Sequence, residues 1–256
     1  MRMRLPAAVK ARLRRGLRWL RNQPERPSGL GVHVAPLGDM YYNEVLRNED
    51  EVTRAIGRLH WEHPVVRWKA WDLLKVAHFV LQHAPRRETR ILDVGCNGSP
   101  ILEVLYSEGY RRLFGCDFVG TDPPLAPGLV FHQGDLMNTP WPDGHFGTVS
   151  CVSVIEHGFN QQKVLHEMAR LLEPGGYLLV STDYADPKIE TSDVDLRTSF
   201  GMPWIIFCRS EIEEFVRAAG GFGFTLTQPI RWDQEQQLVS CWGKSYTFIF
   251  LAFQKK

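Results

Sequence analysis

Small residues and acids follow several short apolar runs of this chain, and their spacing is typical of a nucleoside-binding site. The run 90–94 leads into the turn 95–99 (Gly-Cys-Asn-Gly-Ser), whose small side chains allow backbone amides to approach a ligand closely. Asp117 ends the next apolar run, 22 residues after Gly95, where an acid can accept hydrogen bonds from ribose hydroxyls. Asp135 follows the third run, where an acid can accept from an adenine amino group.

A parallel sheet is needed to bring these residues together, and the pattern from residue 90 onward predicts one. Short apolar runs alternate with helical segments, as expected of parallel strands joined by crossover helices. Ser99 before Pro100 predicts an N-cap for a helix at 101–107. Ser210 with Glu213 predicts a capping box for the last helix. Strands are expected at 90–94, 113–117, 130–132, 147–155 and 177–181, with an antiparallel pair from 224–229 and 246–253, and a helical pattern at 43–84 precedes them.

In this order the motifs resemble those of class I S-adenosylmethionine (SAM)-dependent methyltransferases. The resemblance covers residues 88–182 well and rests on 92–96 (LDVGC), Asp117, 134–136 (GDL), 153–157 (SVIEH) and 171–176 (LLEPGG). It implies an α/β fold with a doubly wound, mostly parallel seven-stranded sheet of Rossmann-like type, and SAM as the methyl donor. The residues that it assigns to SAM are Asp93, Gly95, Cys96, Asn97, Gly98, Asp117, Asp135, Leu136 and Ser153.

The glycine turn departs from the family's usual pattern. Asn97 and Ser99 stand where the family has glycine, and Gly98 is shifted between them. Asparagine tolerates positive φ better than most residues, so we expect the turn to form. A nicotinamide dehydrogenase would need G-x-G-x-x-G, whereas only Gly95 and Gly98 are present. An ordinary strand–turn–helix without a ligand would leave Asp117 and the later acid unexplained.

The resemblance also implies where the methyl acceptor reacts. His157 follows the fourth strand and is expected to face the crevice beside the reactive methyl, so we predict it as the general base, with Glu156 orienting it. The alternative is that this pair only caps the turn or lines the cofactor pocket. Some sugar methyltransferases hold Mg²⁺ with carboxylates at this edge, where Glu156 and Asp183 stand, but no clustered carboxylate pair is evident and a metal is not favoured.

Two further groups of side chains are expected to meet the acceptor. His60 and His63 belong to the N-terminal helical segment, which often lids the active site in this family, and their spacing matches no H-E-x-x-H metal motif. Asp183 and Tyr184 open a long segment that reaches Trp204, and loops of this length are usually functional. Acids and aromatic rings there suit a hydroxyl-rich acceptor, with a solvated loop as the alternative.

We therefore expect O-methylation of a small-molecule or oligosaccharide hydroxyl. The resemblance here is to bacterial glycan and natural-product methyltransferases, and more faintly to actinobacterial enzymes that methylate mannose-type polysaccharides. One alternative is a lipid or quinone-like acceptor at a membrane surface, and another is a methyltransferase-like binding subunit without catalysis. Nucleic acid is not favoured, because the Asn-Pro-Pro-aromatic signature of DNA amino-methylating enzymes is absent after the fourth strand, and only the basic N-terminus supports RNA.

Charge divides the chain into three predicted parts: a basic amphipathic helix at 1–27, a helical lid or extension at 28–87 and a SAM-binding domain at 88–256. Residues 1–26 hold nine Arg or Lys against one acid, although the net charge of all 256 residues is +1. Such a helix can lie on an anionic membrane, or pack on its own domain or on a second copy in a homo-oligomer. No apolar run approaches the roughly 20 residues of a membrane span, and five scattered cysteines favour a reduced, cytoplasmic protein.

Overall fold

The structure of the chain is a computed structural model that describes residues 38–59, 67–120, 128–195 and 202–256. The predicted basic helix at 1–27 and the predicted acceptor contacts His60 and His63 lie outside the described residues. In chain order the elements are β1 (Glu44–Val45), α1 (Glu49–Leu59), α2 (Lys69–His83), β2 (Ile91–Val94), α3 (Ile101–Ser107), β3 (Leu113–Asp117), β4 (Val130–Gln133), β5 (Phe146–Val152), α4 (Gln161–Leu171), β6 (Leu172–Tyr184), α5 (Arg209–Gly221), β7 (Phe224–Leu226), β8 (Val239–Cys241) and β9 (Lys244–Lys255).

The strands form a mostly parallel sheet, which confirms the predicted α/β class. Seven strands follow one another in the order β1-β9-β6-β5-β2-β3-β4, and β7 and β8 also pair with β9. The strands from β4 to β6 are parallel, whereas β9 runs antiparallel to β6 and to β7. The predicted antiparallel pair near the end of the chain is therefore β7 with β9.

The register of the strands brings their carboxyl ends to one edge of the sheet. Val94 of β2 lies opposite Cys116 of β3 and Cys151 of β5, and Val152 lies opposite Ser181 of β6. The residues that follow these positions therefore share one edge. In open α/β sheets this edge is where ligands bind.

Helices cover both faces of the sheet, so the fold is doubly wound. One apolar layer includes Leu59 of α1, Phe79 of α2 and Leu102 of α3. The other includes Met168 of α4 and Phe215 of α5. Burying each such side chain contributes roughly 1.5–3 kcal/mol, so the two layers hold the edge of the sheet rigidly. No helix in the described part of the chain is both long and apolar enough to span a bilayer.

The segment that begins at residue 43 differs from the predicted helical pattern. Glu44–Val45 is a strand that pairs with β9, and the first helix begins only at Glu49. The fully buried Asn43 explains the difference, because its amide donates to Gln228 O (2.5 Å) and accepts from Ala252 N (2.6 Å). These contacts with distant residues hold the backbone extended, and helical periodicity does not reveal them.

The starts of two crossover helices are displaced from their predicted caps. The first helix covers 101–107 as predicted, but Pro100 and not Ser99 is its N-cap. The last helix begins at Arg209 with Cys208 at the N-cap, where the Glu211 carboxylate accepts from Cys208 N at 2.9 Å. The predicted cap Ser210 is therefore wrong by two positions.

Candidate active site

The turn after β2 forms as a tight glycine turn against the end of β3. Gly95 and Gly98 have φ angles of 75° and 80°, and Gly95 N donates to Cys116 O at 2.8 Å. A Cβ on Gly95 would lie only 2.3 Å from Val154 Cγ2, so the backbone approaches this side chain too closely for any other residue. Asn97 does not have a positive φ, because the shifted Gly98 takes the left-handed position.

Asp93 places a carboxylate oxygen without a partner beside this turn. Its side chain is 1% exposed, and Oδ1 accepts from Ser150 Oγ at 2.7 Å. Oδ2 is buried and has no hydrogen-bond partner of normal geometry among the described residues, although the Ser99 hydroxyl lies close enough to the carboxylate to lower its pKa. Burial raises the pKa of Asp93 to about 7. An unpaired acceptor at this depth is costly for the protein alone, so it points to a donor supplied from outside.

Asp117 is held at the end of β3 by the backbone of two loops. Its Oδ2 accepts from Asn97 N at 3.0 Å and its Oδ1 accepts from Val119 N at 2.9 Å. Each oxygen retains a second lone pair, and burial raises the pKa of Asp117 above its ordinary value. The carboxylate is thus oriented beside the glycine turn, as the predicted ribose contact requires.

The remaining residues predicted for SAM occupy three different environments. Asp135 is exposed and closes a turn by accepting from Met137 N at 2.9 Å, while Leu136 beside it is buried. Cys96 is fully buried, and burial raises the pKa of its thiol. Ser153 follows β5 with a φ of 54°, which is unusual for a residue other than glycine.

Lys69, which the sequence reasoning missed, lies at the centre of a polar network at this edge. Its ammonium donates to Ser153 Oγ and lies 3.2 Å from Asp72 Oδ2. Lys69 and Asp72 both belong to α2, and Asp72 is buried. Asp72 is 1% exposed and its Oδ1 accepts from Ser181 Oγ at 2.5 Å. The only signal in the sequence is this pair of charges, three residues apart, within an apolar helix.

Two buried acids complete the network. Glu156 accepts from Thr182 Oγ1 at 3.1 Å, and Asp183 accepts from Trp204 Nε1 at 2.7 Å. Burial raises the pKa of both, the charge of Glu156 raises that of Asp183 further, and the Lys69 ammonium lowers both. Within the described ranges, no group of three or more His, Cys, Asp or Glu side chains could hold a metal ion.

His157 lies in the short turn Ile155–His157, which follows β5 and brings the ring to the same edge. Its imidazole is half-buried, and burial lowers its pKa, so the ring is neutral at pH 7. The carboxylate whose charge acts on His157 is Asp183, which raises the pKa, rather than the neighbouring Glu156.

An aromatic wall stands next to Asp183. Trp204 is 4% exposed and contacts the rings of Trp242 and Tyr246, with centroids 5.0 and 5.5 Å away. Trp242 is 38% exposed and has a φ of 47°, an outlier for so bulky a residue. Tyr184, in contrast, is 1% exposed and packs in the apolar layer on the other face of the sheet. It therefore does not contact the acceptor, contrary to the prediction.

A family profile described as a methyltransferase domain matches residues 68–228, well over half of the chain. The chain is a member of this methyltransferase family. SAM is accordingly its methyl donor, and the crevice fits this ligand, because Asp93 Oδ2 is a buried acceptor without a partner and Gly95 leaves room for no side chain.

Two curated proteins are similar to parts of this methyltransferase. A ubiquinone biosynthesis O-methyltransferase of Sodalis glossinidius is 26% identical over 159 residues, which cover 58% of this chain and 61% of that protein. A probable SAM-dependent methyltransferase of Mycolicibacterium smegmatis is 34% identical over 100 residues, which cover 34% of this chain and 39% of that protein. The chain thus spans less than two thirds of the length of both curated relatives.

Solved structures confirm the fold. Geranyl diphosphate C-methyltransferase of Streptomyces coelicolor, crystallised with Mg²⁺, geranyl diphosphate and S-adenosyl-L-homocysteine, is 13% identical. Its TM-score is 0.58, and the match covers 99% of this chain and 100% of that one. The [4+2]-cyclase SpnF, 18% identical over 76% of this chain and 86% of its own, has a TM-score of 0.53. Because a cyclase shares the fold, the acceptor chemistry has to be argued from the site.

Proposed function

We propose that this methyltransferase methylates a hydroxyl of a saccharide or a similarly polar acceptor, with His157 as the general base. The observation that carries the proposal is the half-buried His157 at the end of β5, whose pKa is lowered by burial and raised by the charge of Asp183. A hydroxyl group is too weak an acid to lose its proton unaided at neutral pH, so a base next to the reacting oxygen accelerates the transfer.

The predicted cofactor residues supply one contact for each part of SAM. Asp93 Oδ2 is the acceptor for the amino group, and the oriented Asp117 carboxylate is the acceptor for the ribose hydroxyls. Asp135 lies on the adenine side. When bound, SAM supplies an electrophilic methyl group on a positively charged sulfur.

The proton of the acceptor has a defined destination. As the acceptor oxygen forms its bond to the methyl carbon and the carbon–sulfur bond breaks, His157 takes the hydroxyl proton. Asp183, which accepts from Trp204 Nε1 at 2.7 Å, raises the pKa of His157 when it is ionised and so favours the resulting imidazolium. Glu156 is tied to Thr182, so we assign it to positioning.

The acceptor-facing surface suits a ring that carries hydroxyl groups. Trp242 exposes an aromatic face beside the buried Trp204, and aromatic faces pack well against the C–H face of a sugar ring. The positive φ of Trp242, like that of Gly243, belongs to the two-residue turn between β8 and β9, and this turn holds the indole at the surface.

The test is release of S-adenosylhomocysteine from SAM with a panel of saccharides. His157→Ala is expected to lower turnover by about a hundredfold or more while SAM binding persists. His166→Ala is the matched control, because His166 is an exposed histidine on the outer side of α4. Near-normal turnover by His157→Ala would show that another group accepts the proton of the acceptor hydroxyl.

A phenolic, quinone-like acceptor is the second candidate. Ubiquinone biosynthesis O-methyltransferases of Sodalis glossinidius and Marinobacter nauticus are similar to this chain, the latter 32% identical over 115 residues, which cover 39% of this chain and 46% of that protein. Adding catechols to the same panel separates the two acceptors. Turnover with catechols but with no saccharide would show that the acceptor is phenolic and not a saccharide, and it would leave the proposed role of His157 unchanged.

A further inference from the structure

A second pocket lies at the opposite edge of the sheet from the SAM crevice. A cavity of about 340 Å³ opens where β2, β3, β4 and β5 begin, and its walls include Arg90, Arg111, Arg112, Phe114, Val130 and His145. We call it the arginine pocket. The strands between the two edges are four to seven residues long. At about 3.3 Å per residue, the edges are therefore roughly 13–23 Å apart.

The charges of this pocket are not neutralised by the described part of the protein. No carboxylate of the described residues lies within salt-bridge distance of Arg90, Arg111 or Arg112. The lining contains no acid. Three arginines that line one cavity without an acid make the local potential positive, which favours the binding of an anion.

Neutral groups hold two of these arginines in place. Arg90 Nε donates to His145 O, and Arg111 Nη1 donates to Tyr106 O (2.6 Å) and Tyr110 O (2.9 Å). The Arg111 guanidinium also stacks 4.1 Å over the Tyr106 ring. Each guanidinium retains further N–H groups, already oriented, and this reduces the entropy that is lost when a ligand binds.

The remaining walls are apolar. Phe114 is half-buried and contacts the His145 ring edge-on at 5.5 Å, and Val130 is 49% exposed at the rim. The pocket therefore combines guanidinium forks with a surface for an uncharged portion of a ligand. Planar guanidinium groups match the oxygens of a phosphate group in bidentate geometry.

We propose that the arginine pocket binds a phosphate-bearing ligand at a site separate from methyl transfer. The phosphate contacts Arg90, Arg111 and Arg112, and the uncharged part of the ligand packs on Phe114 and Val130. Two sources share this chemistry: a soluble phosphorylated compound and the headgroup of an anionic lipid.

Titration of the full chain with inorganic pyrophosphate in low salt tests the site. The wild type is expected to bind one pyrophosphate, and Arg112→Gln is expected to bind it about tenfold or more weakly, because a charge-assisted contact is lost. Arg112→Lys retains part of the affinity. Arg217→Gln, at an exposed arginine on α5, is the matched control and leaves binding unchanged.

Two results would overturn the proposal: no binding of pyrophosphate at millimolar concentration, or equal weakening by Arg112→Gln and Arg217→Gln. Both side chains are exposed, so both variants are expected to fold, and thermal melts check this. Sedimentation with phosphatidylglycerol vesicles then identifies the source. If the protein binds vesicles, and both pyrophosphate and the Arg112→Gln substitution weaken this binding, the ligand of the pocket is a lipid headgroup. If the protein binds pyrophosphate but no vesicles, the ligand is a soluble phosphorylated compound.

Discussion

Replacing Asp93 with asparagine is expected to make the protein increasingly more stable than the wild type as the pH rises, and to weaken its binding of SAM. Asp93 is 1% exposed, and its carboxylate has one oxygen bonded to Ser150 Oγ and one without a partner. Asparagine has nearly the same shape, and its carbonyl can accept the same bond. The substitution therefore removes mainly a buried negative charge.

The size of the effect follows from the pKa of Asp93, which burial raises from 3.8 to about 7. Because the folded protein holds this proton more tightly than the unfolded chain, its contribution to stability is complete below pH 3.8 and is lost as the pH rises through about 7. At about 1.4 kcal/mol per pKa unit, the wild type loses about 2 to 3 kcal/mol between pH 5 and pH 8 that the variant keeps. In a domain of this size that corresponds to roughly 5–10 °C in Tm.

Urea denaturation of both proteins at pH 5, 6.5 and 8 measures this difference, and isothermal calorimetry measures SAM binding. Asp233→Asn, at an exposed aspartate, is the control, and its stability difference from the wild type should not change in this way. A difference between wild type and Asp93→Asn that is the same at all three pH values would refute the assignment of a buried, charged Asp93. SAM binding as tight as in the wild type would show that Asp93 Oδ2 is not an acceptor for SAM.

Three further substitutions test other parts of the site. Lys69→Met removes a cation that lowers the pKa of His157, so the acid limb of the kcat/KM profile should move to higher pH; an unmoved limb would separate Lys69 from the base. Gly95→Ala should destabilise the fold by more than Gly175→Ala, because both glycines have positive φ but only Gly95 has a side chain within 4 Å of the added Cβ; equal urea midpoints would contradict this. Trp242→Leu should raise the acceptor KM about tenfold with SAM affinity unchanged, and a normal KM would remove Trp242 from the acceptor surface.

Local patterns were sufficient to locate the parallel strands and the acids at their ends, although β5 ends at Val152 and not at residue 155 as predicted. Runs buried on both faces read as continuous apolar segments, so β2 and β3 lie within one residue of their predicted bounds. The predicted starts of the helices were less accurate. Pro100 and Cys208 take the N-cap positions because the backbone that leaves a strand decides where the first helical bond forms, and residue preference alone does not.

The residues around the reacting atoms depended on contacts between distant parts of the chain. Lys69 meets Ser153 across 84 positions, and Asp72 meets Ser181 across 109, so no local spacing indicates either contact. The same reason explains why Asp183, rather than the adjacent Glu156, acts on His157.

The sequence by itself determined the class of protein and the donor, and it located the acids Asp93 and Asp117 at the ends of neighbouring strands, because motif order and strand periodicity are local properties of a chain. Only the tertiary structure decided which buried charges surround His157, that Tyr184 is turned away into the core, and that Arg90, Arg111 and Arg112 share a cavity. Burial and electrostatic interaction depend on distance in space, and the packing of α2 and the closing strands on the sheet sets those distances.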